Sequence, residues 1–192
     1  MKLRVIVTLV TALALGVGTA SAQSIGIFFD TGGATCSTSQ APFTPGTLYV
    51  LAVLGGSVTG VTGAEFRVDG FPVGWFGSYS PNPLATASLG SVGGLGGNIA
   101  FGLCQTGLGG IVLLYTNSYF ATSAVSSAYL SILRHTTPSN PNFPCPLVTL
   151  CDAPVFSARC VNGGQAIING GSPCTVAAVP ATWSSVKELY TN

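Results

Sequence analysis

The sequence predicts an all-β protein, an antiparallel β-sandwich cross-linked by disulfide bonds. Three observations predict this fold. Short apolar runs recur along the 192 residues, and clusters of Gly, Pro, Asn and Ser interrupt them about every ten residues. No amphipathic helix of useful length separates the runs. Six cysteines supply an even number of partners for disulfide bonds. The length suits one domain with a full hydrophobic core.

The first 22 residues have the pattern of a secretory signal peptide. Lys2 and Arg4 precede an apolar run over residues 5–17, and small residues up to Ala22 form a cleavage site. The run of about 13 residues is shorter than the roughly 20 that span a membrane. We therefore expect a mature protein, beginning at Gln23, that is secreted or held at the cell-envelope surface and does not span a membrane.

Ten segments have the length and composition of β-strands. Residues 47–54 are apolar on both faces, as in a central strand. Residues 63–69 alternate, so that Ala64 and Phe66 face the core while Glu65 and Arg67 face outward. The predicted strands are residues 24–30, 47–54, 63–69, 98–104, 111–116, 129–135, 147–150, 156–161, 165–169 and 175–179. The sandwich domain is expected to span residues 23–180.

Two other segments depart from the strand pattern. Residues 88–97 are rich in glycine. Within them, residues 93–97 (Gly-Gly-Leu-Gly-Gly) predict a flexible turn, because they lack the Gly-Lys-Ser/Thr ending of a phosphate-binding loop. Residues 181–192 predict a short helix or tail packed on the domain, which Thr182 caps and whose apolar positions include Trp183 and Val186. This C-terminal segment is either a structural cap of the sandwich or a signal for sorting and surface attachment.

The six cysteines all follow the predicted cleavage site, and we expect them to be paired in an oxidising compartment. They are Cys36, Cys104, Cys145, Cys151, Cys160 and Cys174. If the segment between Cys145 and Cys151 is extended, those two lie about 20 Å apart and need separate partners. A bridge between Cys151 and Cys160 would close a turn, and the sequence leaves the other pairings open. No cysteine or histidine spacing suits a metal site, so neither a metal nor another cofactor is expected.

Charge and motif content exclude several functions. Removal of the signal peptide leaves four basic and five acidic residues, which gives no electrostatic basis for binding nucleic acid. The chain has one histidine, His135, expected at the surface, and no Gly-x-Ser-x-Gly motif marks a nucleophile. Asp30, Asp69 and Asp152 are the acids that a hydrolase of unfamiliar type could use. We therefore expect a protein that is not an enzyme.

Aromatic residues are concentrated between residues 70 and 79. Flat aromatic side chains among glycines are typical of surfaces that bind sugars or partner chains. Trp75, Phe76 and Tyr79 are accordingly the predicted ligand-binding residues. In the alternative interpretation, Phe71 and Trp75 fill the core and Tyr79 covers an edge of the sandwich.

Residues 47–53 (Thr-Leu-Tyr-Val-Leu-Ala-Val) and 63–68 (Gly-Ala-Glu-Phe-Arg-Val) resemble the first strands of cohesin-like and related bacterial carbohydrate-module sandwiches. The whole chain is similar to secreted bacterial proteins of uncharacterised activity. They share a strand ending in Phe-Phe-Asp, a Cys-Asp-x-Pro segment (here residues 151–154) and a closing Trp-x-x-Val-Lys-x-Leu-Tyr. The resemblance implies an Ig-like or cohesin-like sandwich and no established activity.

These observations favour a secreted or cell-surface protein with a binding, adhesion or structural role. The sequence does not identify the partner, for which a glycan and a cell-surface protein are the candidates. Two alternatives stand beside this interpretation: a carbohydrate-binding module that uses exposed aromatic residues, and a hydrolase with an unrecognised site.

Overall fold

The computed structural model describes residues 23–55, 58–152 and 156–171, which form strands and turns and contain no helix. The strands are β1 (Ser24–Phe28), β2 (Ser37–Thr38), β3 (Pro45–Val53), β4 (Val61–Asp69), β5 (Phe76–Pro81), β6 (Ala85–Ser91), β7 (Gly96–Gln105), β8 (Ile111–Phe120), β9 (Ala128–Leu133), β10 (Leu147–Leu150), β11 (Ser157–Cys160), β12 (Asn162–Gly163) and β13 (Gln165–Ile168). The predicted all-β sandwich is confirmed.

The strands form two sheets. The first sheet has the order β12-β1-β3-β8-β5. The second sheet follows the path β11-β10-β4-β9-β13-β2; in addition, β7 pairs with β4, and β6 pairs with β7. Neighbours are antiparallel except for two short parallel pairs, β1 with β12 and β13 with β2. As the sequence predicts, β3 is a central strand, since it lies between β1 and β8.

The hydrophobic core lies between the sheets, and both contribute large side chains to it. Leu48 and Leu114 come from the first sheet, and Leu130 and Leu150 come from the second. The ring of Phe66 on β4 meets that of Tyr115 on β8 edge to face, with centroids 5.8 Å apart. The predicted alternation of β4 is thus confirmed for its inward side chains.

The disulfide bonds correct one sequence prediction. Cys104 is bonded to Cys151, with Cα atoms 5.8 Å apart, and Cys145 to Cys160, at 5.4 Å. Cys145 and Cys151 therefore have separate partners, as expected, but the predicted Cys151–Cys160 pair is wrong. Strand β11 runs antiparallel to β10 with Cys160 opposite Leu147. This register brings Cys160 beside the start of β10, next to Cys145, and away from Cys151 at its end.

The structure describes one of the two remaining cysteines. Cys36 is buried and disulfide-bonded, and the described residues include no free cysteine. Cys174 lies outside the described residues. So do the predicted signal peptide (1–22), the strand at 175–179 and the helix at 181–192, all of which stay predictions. Among the residues that the structure describes, no helix is long and apolar enough to cross a membrane.

Four strands lie where the sequence predicts none: β2, β5, β6 and β12. The turn expected over residues 93–97 is present at residues 92–95, between β6 and β7, but Gly96 and Gly97 already belong to β7. Glycine serves a conformational purpose here. Gly90 has a φ of 84° and Gly96 has a φ of 129°, so both adopt backbone conformations that other residues rarely take.

Candidate functional site

The three predicted aromatic ligand-binding residues have different environments. Trp75 is only 6 % exposed, whereas Phe76 is 72 % exposed on β5. Tyr79 is partly buried and packs against the hydrophobic core. The expectation of one exposed aromatic platform is therefore wrong for Trp75, and the alternative in which Trp75 fills the core is correct. The role of the three residues in binding stays a prediction.

Trp75 is fixed from several sides. Its indole stacks on the ring of Tyr119, with centroids 5.6 Å apart and an interplanar angle of 16°. Phe71 meets both rings edge to face. The Trp75 Nε1–H donates to the Ser123 carbonyl over 3.0 Å. Such a buried tryptophan with its N–H satisfied is an anchor of the fold. It holds the segment that leads into β5 in a defined position.

A cleft opens beside this cluster, between the edge strand β5 and the β6–β7 turn. Its volume is about 400 Å³. Buried Asn117 and Tyr115 of β8 lie at its floor, and exposed Ser91 and Gly93 lie at its rim. The full lining consists of Phe71, Trp75, Gly77, Ser78, Tyr79, Ser88, Gly90, Ser91, Val92, Gly93, Tyr115 and Asn117. The cleft contains hydroxyl, amide and aromatic groups and no charged side chain.

The geometry of the cleft depends on close approach at one glycine. Tyr79 on β5 lies directly opposite Asn117 on β8, and Gly77 lies opposite Tyr119. A Cβ at Gly77 would lie only 2.8 Å from Oδ1 of Asn117. A side chain there would displace the Asn117 amide, so glycine leaves room for it at the floor of the cleft.

Burial raises the pKa of the Tyr79 hydroxyl from about 10 to about 12. The neighbouring Asn117 amide offsets part of this rise, although the two groups do not meet hydrogen-bond geometry. The folded state therefore retains this proton more strongly than the unfolded state. Below pH 10 the Tyr79 hydroxyl therefore makes its full contribution to the free energy of unfolding. This contribution is lost as the pH rises through about 12.

We expect the free energy of unfolding to fall by about 2 kcal/mol more in the wild type than in Tyr79→Phe between pH 10 and pH 12. Urea denaturation of both proteins across this range measures the difference. Tyr115 and Tyr119 also have raised pKa values because they are buried. Both residues are present in both proteins, so their effects on the free energy of unfolding cancel in the comparison. Equal losses of stability in the two proteins would contradict the assignment.

A second depression lies on the outer face of the second sheet, the side turned away from the core. It is a groove of about 510 Å³ over strands β4, β7, β10 and β11. Its floor is made of small side chains, since Gly63 lies opposite both Ala100 and Thr149, and Thr149 lies opposite Ala158. Phe156 lines one side of the groove and is 66 % exposed. We call this surface, defined by residues 63, 65, 98, 100, 147, 149, 156 and 158, the outer groove.

Glu65 is the one charged residue among those lining the outer groove. The sequence predicts an outward-facing charge at this position. Glu65 does face away from the core, but it is only 7 % exposed. Its two carboxylate oxygens accept the Ser139 backbone N–H at 3.1 and 3.0 Å. The segment between β9 and β10 therefore folds over this end of the sheet and covers the carboxylate.

The residues that a hydrolase could use each form hydrogen bonds or ion pairs with residues close to them in sequence. The Asp30 carboxylate accepts backbone N–H groups of Gly32, Ala34 and Thr35. Burial raises its pKa, but the hydrogen-bond donors together outweigh that effect and the pKa is lowered overall. Asp69 pairs with Arg67 at 3.2 Å.

Asp152 and His135 also form hydrogen bonds with residues close to them in sequence. Asp152 binds Arg159 and the Ser157 hydroxyl, at 3.2 and 2.7 Å. His135 is buried and not at the surface as expected, because its ring packs on Gly96, where any Cβ would overlap it. Its Nδ1 accepts the Thr137 N–H over 3.0 Å. Within the described residues, no three His, Cys, Asp or Glu side chains converge on a point that could hold a metal.

Sequence reasoning missed Asn117 and the outer groove. Asn117 is a polar residue at a buried position of a long strand, and its register against β5 is visible only after β5 is recognised. The outer groove depends on which strands pair with β4, and no local pattern specifies non-local pairing. The small residues Gly63, Ala100 and Ala158 were the only sequence signal, and they are far apart along the chain.

Comparison with solved structures identifies the fold. The seventh ScaB type I cohesin from Pseudobacteroides cellulosolvens aligns with a TM-score of 0.50 at 8 % identity, covering 79 % of this chain and 95 % of that one. The sixth cohesin of Acetivibrio cellulolyticus scaffoldin B, solved with a Cel5 dockerin variant, gives 0.44 at 15 % identity, with coverages of 73 % and 99 %. A cohesin module of a Clostridium perfringens family 33 glycoside hydrolase gives 0.40 at 11 % identity, with coverages of 77 % and 97 %.

The chain therefore has a cohesin-like β-sandwich, as the resemblance of residues 47–68 implies. No protein-family model matches the sequence, and the search of curated proteins gives no significant match. At these identities the likeness concerns the fold alone. Any function has to be argued from the surfaces of this chain.

Proposed function

We propose that this protein is a secreted, non-enzymatic module that binds a protein partner through its outer groove. The observation that carries the proposal is the composition of this surface. A flat floor of Gly63, Ala100 and Ala158 allows close approach of another backbone, and Phe156 stands exposed at its side. Exposed apolar side chains beside small residues are typical of surfaces that other proteins cover.

The surface extends beyond the groove toward the edge strand β6. Leu89 lies opposite Asn98, which in turn lies opposite Glu65, so all three share the outer face. Leu89 is 67 % exposed. Two large apolar side chains, Leu89 and Phe156, therefore belong to the same face of the sheet as the small-residue floor. Burial of these two side chains against a partner would contribute favourable hydrophobic free energy to binding.

Charge defines the kind of partner. The carboxylate of Glu65 is already paired with the Ser139 N–H and is the sole ionisable group in the lining of the groove. The centres of protein interfaces are depleted of charge because an unpaired buried charge is costly. The partner is therefore expected to present an uncharged, apolar surface at the centre of the contact, with its charges outside.

Secretion is supported by the signal-peptide pattern of residues 1–22 and by disulfide bonds, which persist in oxidising compartments. The non-enzymatic part of the proposal is supported by the local engagement of Asp30, Asp69, Asp152 and His135. A binding role also agrees with a surface poor in charge, since little electrostatic repulsion opposes association.

Photo-crosslinking tests the proposal. A benzoylphenylalanine residue replaces Ala100 in the outer groove or, as the matched control, exposed Ser118 on the first sheet. Each protein is irradiated with the secreted proteins of the source organism. We expect one identified protein to be crosslinked from position 100 and not from position 118. When purified, it should bind the wild type in calorimetry, and Ala100→Arg should weaken binding at least about tenfold.

Two results would overturn the proposal. One is crosslinking of the same partner with equal yield from both positions. The other is unchanged affinity of the purified partner for Ala100→Arg while that variant melts like the wild type.

A further inference from the structure

The cleft between β5 and the β6–β7 turn contains buried polar groups that lack a partner among the described residues. Asn117 is 1 % exposed, and neither Oδ1 nor Nδ2 of its amide forms a hydrogen bond. The Tyr79 hydroxyl is likewise buried and unpaired. Unpaired buried polar atoms destabilise a protein, so native folds leave few of them without a ligand or water.

Both residues that carry these unpaired atoms line one cleft, and the atoms themselves are fully buried. The Asn117 amide and the Tyr79 ring line the cleft of about 400 Å³, and the β5 and β6–β7 residues at its rim are exposed. The other hydroxyl groups of the floor are already used, since Ser88 Oγ and Tyr115 Oη pair at 2.9 Å. A ligand that enters from the rim would therefore bind the Asn117 amide and the Tyr79 phenol once these side chains turn toward it, because their polar atoms are fully buried.

The lining defines the chemistry of the ligand. An amide offers a donor and an acceptor side by side in either orientation, and adjacent hydroxyl groups complement both at once. The aromatic rings of Phe71, Trp75 and Tyr79 supply apolar surface for the C–H faces of such a ligand. No charged side chain lines the cleft, so a charged ligand would lose its hydration without compensation.

We propose that this cleft binds a neutral polyhydroxylated ligand of monosaccharide size, with Asn117 and Tyr79 as the hydrogen-bonding residues. The site lies apart from the outer groove and is independent of the protein-binding role proposed above. The Trp75 indole forms one side of the cleft, and its contacts with neighbouring residues hold it in position. The affinity expected for a ligand of this size is in the millimolar range.

Calorimetric titration tests the proposal with the full mature chain. The ligands are a panel of neutral monosaccharides, their oligosaccharides and simple polyols, with sugar acids and amino sugars as charged counterparts. The variants are Asn117→Leu and Tyr79→Phe. Ser118→Ala is the matched control, because Ser118 is the exposed neighbour of Asn117 on β8.

We expect at least one neutral ligand to bind the wild type and Ser118→Ala equally. Asn117→Leu should weaken its binding about tenfold or more, and Tyr79→Phe should weaken it by a smaller factor. Tighter binding of an oligosaccharide would indicate that the cleft receives the end of a glycan chain. Equal binding of monosaccharide and oligosaccharide would indicate a free small molecule, and both results support the site.

Three results would overturn the proposal. The first is an absence of binding to the folded wild type across the neutral panel, which would mean that water alone occupies the cleft. The second is equal affinity of the wild type and both variants, which would place binding elsewhere. The third is a preference for the charged ligands.

Discussion

Removal of the Cys104–Cys151 disulfide by a double alanine substitution should lower the free energy of unfolding by about 4 kcal/mol, since the bond closes a loop of 47 residues. The physical reason is that the bond restricts the unfolded chain far more than the folded one. Removal of Cys145–Cys160, with a separation of 15 residues, should cost about 3 kcal/mol. Urea denaturation under non-reducing conditions measures both values.

The connectivity of the disulfide bonds is tested on the wild type. Peptide mapping of the unreduced wild type should recover Cys104 with Cys151 and Cys145 with Cys160. A peptide that joins Cys151 to Cys160 would contradict the register of β10 and β11. A smaller stability loss for the long loop than for the short one would contradict the explanation by loop length.

Replacement of Phe66 by alanine should destabilise the protein by about 3–5 kcal/mol, the usual effect of deleting a fully buried phenylalanine. Phe66 lies on the central strand β4 and packs on Tyr115 of the opposite sheet. The substitution therefore opens a cavity between the two layers, and neither sheet can collapse into it without moving the other.

Phe76→Ala is the matched control for this substitution. It removes the same side chain from the exposed strand β5, and we expect a change of about 0.5 kcal/mol or less. Chemical denaturation of both variants provides the comparison. Similar losses in the two proteins would show that the core does not lie between the sheets as described.

The sequence predicts those strands whose pattern of apolar and polar residues is clear within the strand itself. Alternation in β4 identifies the buried Ala64 and Phe66, and the two apolar faces of residues 47–54 identify a central strand. Both features depend only on which side of a strand each residue faces. The exposure of Glu65 could not be predicted in this way, because the segment that contains Ser139 covers it, and that segment is distant in sequence.

Strands β5 and β6 could not be predicted because their residues are poor strand formers. They contain glycine, serine and proline, which are depleted in strands, and most of their side chains are exposed. They are strands because β8 and β7 supply hydrogen-bonding edges. The polar cleft depends on these same strands, so the sequence predicts Trp75 and Tyr79, but not Asn117, as residues of a binding site.

The central claim is that the outer groove is the surface that binds a protein partner. Hydrogen exchange of the wild type, with and without the partner identified by crosslinking, tests it most directly. We predict slower exchange of backbone amides in β7, β10 and β11 in the complex, and unchanged exchange in β3 and β8 of the first sheet. Protection confined to β3 and β8, with β7, β10 and β11 unaffected, would contradict the claim.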